Sequence, residues 1–134
     1  MAITKDAGAQ SSSIKKVDFT FADLSAVTGT DNEAMGLPSD AIVIQGAIII
    51  TTPFNSTTNT FTVGDKTSNS RYKSGIDAKT AAMTTLVPTG ITTNNANLRT
   101  LVINTSFTGT APTAGAGTLI VEYLQTTRAD FVQR

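Results

Sequence analysis

The side chains that usually carry catalysis are either absent from this sequence or lack a partner in it. There is no His and no Cys. That excludes a zinc site of the usual N/S type, a Cys or Ser–His triad, an Fe–S cluster and a disulfide. A nucleophilic Ser or Thr would need Lys or a carboxylate as its base. Ser70-Arg71-Tyr72-Lys73 has the Ser-x-x-Lys spacing, but it lies in the polar run GDKTSNSRYKSG and reads as a solvated loop. Paired carboxylates for glycoside hydrolysis would come from Glu33 and Glu122, the two glutamates, or from Asp23, Asp40 and Asp77 at strand ends and turns. No motif brings two of them together. Asp31-Asn32-Glu33 faintly resembles a Ca²⁺ loop, but it lacks the alternating oxygens and the distal Glu and reads as a polar turn. Gly115-Ala116-Gly117 fits no phosphate-binding pattern, because a strand and not a helix follows it. No catalytic, cofactor-binding or metal-binding residue is assigned, no cofactor is expected, and the chain reads as a non-enzyme.

Charge narrows the partners. Ten Lys+Arg balance ten Asp+Glu in 134 residues. A neutral chain has no overall attraction to nucleic acid or to an anionic membrane. Lys15-Lys16 and Arg71/Lys73 are basic locally, but only Tyr72 and Phe19 lie near them, which makes no base-stacking platform. The longest apolar run, AIVIQGAIII at residues 41–50, falls well short of the ~20 residues of a membrane span. The opening MAITKDAGAQ has no apolar core of a signal peptide. Neither nucleic acid nor membrane is expected as a partner.

The elements that would position any site are short strands. Residues 1–16 read as an arm, small and polar around AGAQSSS. Residues 17–134 read as one domain. Within it, residues 17–24 (VDFTFADL) alternate, with Val17, Phe19 and Phe21 on one face. Residues 27–40 read as a loop. Ala41–Thr52 is the strongest strand, with Ile42, Ile44, Ile48 and Ile50 on one face and Ala41, Val43, Ala47 and Ile49 on the other. Gly46 inside it signals a bulge or a close backbone approach, and Pro53 ends it. Residues 60–63 follow as a hairpin partner with Phe61 and Val63 inward.

Residues 64–75 read as a polar loop. Ile76, Thr80 and Met83 have a helical spacing among Ala residues, although their neighbours are strands. Residues 84–87 form a short strand ended by Pro88, and 89–97 a loop. Residues 98–108 are a strand with Leu101, Ile103 and Phe107 on one face. Residues 118–127 are the last, with Leu119, Val121 and Tyr123 on one face and Ile120 and Leu124 on the other. Strands at this spacing, cut by turn residues, define an all-β sandwich or barrel. Thr fits them: 25 of the 134 residues are Thr. It favours the extended chain, and its hydroxyl wets the solvent face without charge.

A small sandwich needs only its inner faces to be apolar. Ala41–Thr52 and residues 118–124 are apolar on both. The outer stripes read as a subunit contact or as the floor beneath a loop. The arm is suited to adding a strand to a neighbour's sheet.

Several blocks, in this order and spacing, resemble one family. They are Val17-Asp18-Phe19-Thr20-Phe21-Ala22-Asp23-Leu24, Leu37-Pro38-Ser39-Asp40-Ala41-Ile42-Val43, and Thr51-Thr52-Pro53-Phe54-Asn55-Ser56 running into Val63-Gly64-Asp65. Asn69-Ser70-Arg71-Tyr72 and Leu86-Val87-Pro88-Thr89-Gly90 follow. Then come Ala111-Pro112-Thr113-Ala114-Gly115-Ala116-Gly117, Val121-Glu122-Tyr123 and Arg128-Ala129-Asp130-Phe131. The chain resembles the small virion proteins of tailed bacteriophages, encoded among head genes. That resemblance implies a jelly-roll-like β-sandwich with an extended N-terminal arm. It implies a cement or decoration protein, made in the bacterial host cytoplasm, that binds the outer surface of the virion head. The implied partners are the major capsid protein and other copies of the chain, a trimer being favoured. The family has no catalytic motif, so no residue role carries over. A head-fibre or tail component is the alternative within the class. A carbohydrate-binding sandwich is the alternative outside it, disfavoured by the lack of Trp and by only two tyrosines, Tyr72 and Tyr123.

Overall fold

The computed structural model describes residues 12–125. The eight strands are β1 (Ser13–Thr20), β2 (Thr30–Gly36), β3 (Ala41–Thr52), β4 (Thr58–Asp65), β5 (Lys73–Asp77), β6 (Met83–Thr85), β7 (Thr100–Thr108) and β8 (Ala116–Gln125). A 3₁₀ turn (Phe21–Asp23) follows β1, and a one-turn helix α1 (Ala96–Arg99) precedes β7. The arm expected at residues 1–16 lies outside the described residues up to residue 11, and the same holds for residues 126–134.

The pairing reads as one long ribbon folded on itself. β1 pairs β8, β2 pairs β7, β3 pairs β6 and β4 pairs β5, all antiparallel. The β4–β5 turn is the tip of that ribbon. Wrapping it adds two more ladders, β3 on β8 and β4 on β7. The result is two four-stranded sheets, β1-β8-β3-β6 and β2-β7-β4-β5. Eight strands in this order, packed as two sheets, make a jelly roll. The sandwich expected from the strand spacing is therefore the fold.

The core fills the space between the sheets. Val43, Ile48, Ile50, Leu119 and Val121 come from the first sheet, and Phe61, Val63, Ile76, Leu101 and Ile103 from the second; all are at most 2% exposed. Phe19, Phe54 and Phe61 form an aromatic cluster, with Phe54 and Phe61 edge to face at 4.9 Å between ring centres. Such pairs add about 1 kcal/mol beyond the area they bury.

The first sheet departs from simple alternation at two residues of β3, Ile44 and, near the strand's end, Thr51; the first sorts the faces. Val43 lies opposite Tyr123 and Gln45 opposite Glu122, so Ile44 is an extra residue without a partner on β8. A bulge of this kind exchanges the two faces of the strand beyond it. Ala41 and Val43 point inward before it, Ile48 and Ile50 after it. The face that strict alternation gave to Ile42, Ile44, Ile48 and Ile50 is thus divided: Ile44 is exposed while Ile48 and Ile50 are buried. Gly46 meets the close approach its type suggested. A Cβ there would lie 2.7 Å from Ile120 O and 2.9 Å from Leu86 Cδ1.

Other expectations need correction. Residues 30–36 are strand β2 and not loop, because an edge strand needs little apolar surface. Asn32, opposite Ile103, satisfies its side chain on backbone, taking Ser25 N–H at 2.8 Å and donating to Ile103 O at 3.0 Å. Ile76 and Met83 belong to different strands, and no helix joins them. Asp77 accepts from Lys79 N and Thr80 Oγ1, both at 2.9 Å, a local turn that competes with helix. Phe21 leaves the strand face: Asp23 accepts from Thr20 N at 2.8 Å and closes the 3₁₀ turn. β1 begins at Ser13, four residues before the expected Val17, because β8 is long enough to pair it up to Tyr123.

The loop after β4 is the tightest part. Buried Asp65 accepts from Thr67 N at 2.9 Å and Ser68 N at 2.8 Å, and it pairs with Arg71. The loop so formed lies on Gly64, where a Cβ would sit 2.1 Å from Ser68 O. Backbone cannot yield that distance locally. Gly64→Ala is expected to destabilise the fold by about 3 kcal/mol, at the upper end of overpacking costs. Gly36→Ala, where nothing lies within 4 Å of the new Cβ, is expected to change little. Urea unfolding midpoints of the two variants check this.

Candidate functional site

The groups singled out for chemistry are dispersed by the fold. Tyr72 is 1% exposed and packs in the core, and Arg71 beside it is held by Asp65, so Ser70 and Lys73 flank a structural corner. This corrects the solvated-loop reading of that segment. Its signal was the single aromatic in a polar run. Burial, with the Asp65 carboxylate nearby, raises the Tyr72 phenol above its ordinary value. Asp31 and Glu33 lie on β2 and not in a turn. Asp31 accepts from Asn104 Nδ2 at 2.7 Å and Asn69 Nδ2 at 3.0 Å, and Glu33 pairs with Lys66. Among the described residues no three acidic, His or Cys side chains gather where they could hold a metal ion. Gly115 is glycine for packing: a Cβ would meet the Phe54 ring at 2.5 Å. Lys15 donates to Gly36 O at 2.6 Å, which joins the two sheets at their edge.

What the fold does assemble is a surface, the outer face of sheet β1-β8-β3-β6. The bulge at Ile44 delivers Ala47 and Ile49 to it, and β8 adds Ile120 opposite Ala47. β6 sets Met83 opposite Ile49. Ile14 on β1 stands opposite Glu122. Ile14 and Met83 are each more than 60% exposed, and Ile44 is 42% exposed. Together these residues line a shallow depression of about 480 Å³. The β8 residue Ile120 and the outward part of the β3 stripe, Ala47 and Ile49, therefore lie on one face, while Ala41 and Val43 point inward; Leu86 and Pro88 after β6 also line the depression. Sequence reading missed two contributors. Ile14 falls within the expected arm, and it lies on the face of β1 opposite Val17 and Phe19, whose own alternation runs back to Lys15. Met83 was assigned to a helical spacing.

One margin of this face is polar. Glu122 accepts from Ser12 Oγ at 2.6 Å and from Gln45 Nε2. Asp18 accepts from Thr118 Oγ1 at 2.6 Å, with Lys16 at 3.6 Å. Charge is thus confined to the β1–β8 side; the β3–β6 side is mostly aliphatic, with Gln45 and Thr85 its polar residues.

Comparison with known proteins adds to the fold. No family model matches the chain, and no curated protein matches it. A chain of the Cyanophage Pam1 capsid asymmetric unit matches with a TM-score of 0.67 at 22% identity, over 92% of this chain and 91% of that one. A chain of the acid-stable capsid of Helicobacter pylori bacteriophage KHP30 matches with 0.57 at 19% identity, over 84% and 86%. A chain of the capsid of Ralstonia phage GP4 matches with 0.60 at 15% identity, over 93% and 90%. At these identities the likeness is one of fold, and it spans nearly the whole of each chain.

The Asp18 carboxyl is held below its ordinary value chiefly by the Thr118 hydroxyl, against desolvation and with a lesser contribution from Lys16. A folded value below the unfolded one means this interaction is complete above the ordinary carboxylate range and is lost as pH falls through the folded value. Thr118→Val is expected to move the Asp18 titration back up toward 3.8, the ordinary value. NMR titration of the carboxyl carbon reads it directly.

Proposed function

We propose that this chain is a virion structural protein of a tailed phage, a cement or decoration protein on the outer surface of the head. The observation that carries this is the jelly roll it shares, over about nine-tenths of both chains, with a chain of the Cyanophage Pam1 capsid asymmetric unit. The blocks of sequence that resemble small head-gene proteins point the same way. In this reading the outer face of sheet β1-β8-β3-β6 is the contact surface, and its partner is the major capsid protein. The chain works as a homo-oligomer, with a trimer favoured. Binding only the mature lattice stabilises that lattice by mass action, and many copies on one shell add avidity. A head-fibre or tail component is the second reading. A carbohydrate-binding role is weakened further, because Tyr72 is buried and unable to form a sugar platform.

The test uses expanded heads that lack this chain. The purified protein is expected to sediment with them saturably and to behave as an oligomer alone. Met83→Asp combined with Ile44→Asp places two charges on the exposed aliphatic margin, which should weaken head binding at least tenfold, about 1.4 kcal/mol. The unfolding midpoint of the free protein should barely change, since both side chains are exposed. A monomer that leaves heads bare would contradict the proposal.

A further inference from the structure

A second feature lies at the end of the sandwich, away from the outer face. The 3₁₀ turn and the residues after it stand off from the inner face of sheet β2-β7-β4-β5 and leave a cavity of about 220 Å³. Its walls include four of the six Phe residues: Phe21, Phe54, Phe61 and Phe107. An apolar cavity of ~150 Å³ is already enough to take up benzene. This one is roomier, and it is not wholly apolar.

Asn59 and Thr105 also line it. Both residues are at most 3% exposed, yet Asn59 Nδ2 and Thr105 Oγ1 have no hydrogen-bond partner. The register places them near each other: Asn59 is opposite Phe107 and Thr105 is opposite Phe61, a diagonal pair on the inner face of adjacent strands. A buried polar group left unpaired costs about 1–3 kcal/mol. A single water is a poor remedy. It would find these two polar groups, with Ser25 the other polar side chain of the lining and carbon elsewhere, which is toward the lower end of the roughly 2–4 hydrogen bonds that buried waters make. Nor would one water fill the space. A ring bearing one hydroxyl meets every requirement: its oxygen accepts from Asn59 Nδ2, its proton goes to Thr105 Oγ1, and the ring packs among the Phe side chains.

The wall on the solvent side is small and separately anchored. Phe21, 38% exposed, forms part of it. The turn is tied by Phe21 N donating to Gly115 O at 2.9 Å and by the Asp23–Thr20 bond. Ser25 N donates to Asn32 Oδ1 at 2.8 Å just beyond. Between these ties the part-exposed Phe21 ring borders the side on which the pocket opens to solvent.

We propose that this cavity is a binding site for a small cyclic alcohol or phenol, held by the Asn59 amide and the Thr105 hydroxyl over an aromatic floor. The probe is p-cresol, with toluene as its hydrocarbon counterpart, titrated into the ¹⁵N-labelled full chain. Saturable amide shifts are expected around residues 21–26, 59, 105 and 107, with the Asn59 side-chain amide among them. p-Cresol is expected to bind at least tenfold tighter than toluene and to raise Tm. Thr105→Val keeps the shape and removes an unpaired hydroxyl, so it should fold normally while the p-cresol preference drops toward one. Ala22→Trp, which fills the cavity from the turn, should abolish binding of both probes. Three results would overturn the site: no saturable shifts at millimolar probe, shifts centred elsewhere, or equal affinity for p-cresol and toluene in the unaltered chain.

Discussion

The position of one unpaired residue, Ile44, decides what this molecule presents to the outside. β3 is the most apolar strand in the chain, and it lies inside its sheet between β8 and β6. Without the bulge, strict alternation would continue from Ala41 and Val43, and Ile49 would point inward. With it, Ile48 and Ile50 enter the core opposite Leu119 and Gly117. Ile49 and Ala47 turn outward beside Ile120 and Met83. Gly46, two residues on, lets Leu86 and the β8 backbone close over the kink. The same local irregularity therefore completes the core and builds the outer apolar face.

That face matters because, among the described residues, its most exposed apolar side chains have nothing packed over them. Exposed apolar side chains scattered singly on a surface need no explanation. Here Ile14, Ile44 and Met83 are gathered around one depression with Glu122 at its rim. An arrangement of aliphatic floor and polar margin resembles the anatomy of a protein–protein contact, apolar at its centre and polar around it. Acids such as Asp23, Asp65 and Asp77 are used in closing turns and loops, and Glu33 pairs with Lys66.

Much of the fold was legible in the sequence because most strands obey period two. The bounds of β3, the inward Phe61 and Val63 of β4, and the inward Leu119 and Val121 of β8 follow from alternation and β-branching. The failures have physical causes. β2 is polar because an edge strand can satisfy an inward Asn32 on neighbouring backbone. Tyr72 is core because Asp65 takes the Thr67 and Ser68 amides and Arg71 and folds a polar run back over Gly64, a tight local loop that has no apolar periodicity. Ile76 and Met83 share a helical spacing by coincidence, since Asp77 caps a turn between their strands. The outer face was half legible. Apolar residues on both sides of β3 and β8 announced it, but the bulge that sorts them left only a glycine as its trace.

Under the proposed function, the outer face of sheet β1-β8-β3-β6 is the surface that would hold a capsid lattice. A reconstruction of the virion carrying this chain, at a resolution that shows side chains, tests it most directly. The expected result is copies across the whole head shell, with Ile44, Ile49 and Met83 packed against the major capsid protein. Copies restricted to the tail, or a head-bound protein with that face turned to solvent, would contradict it.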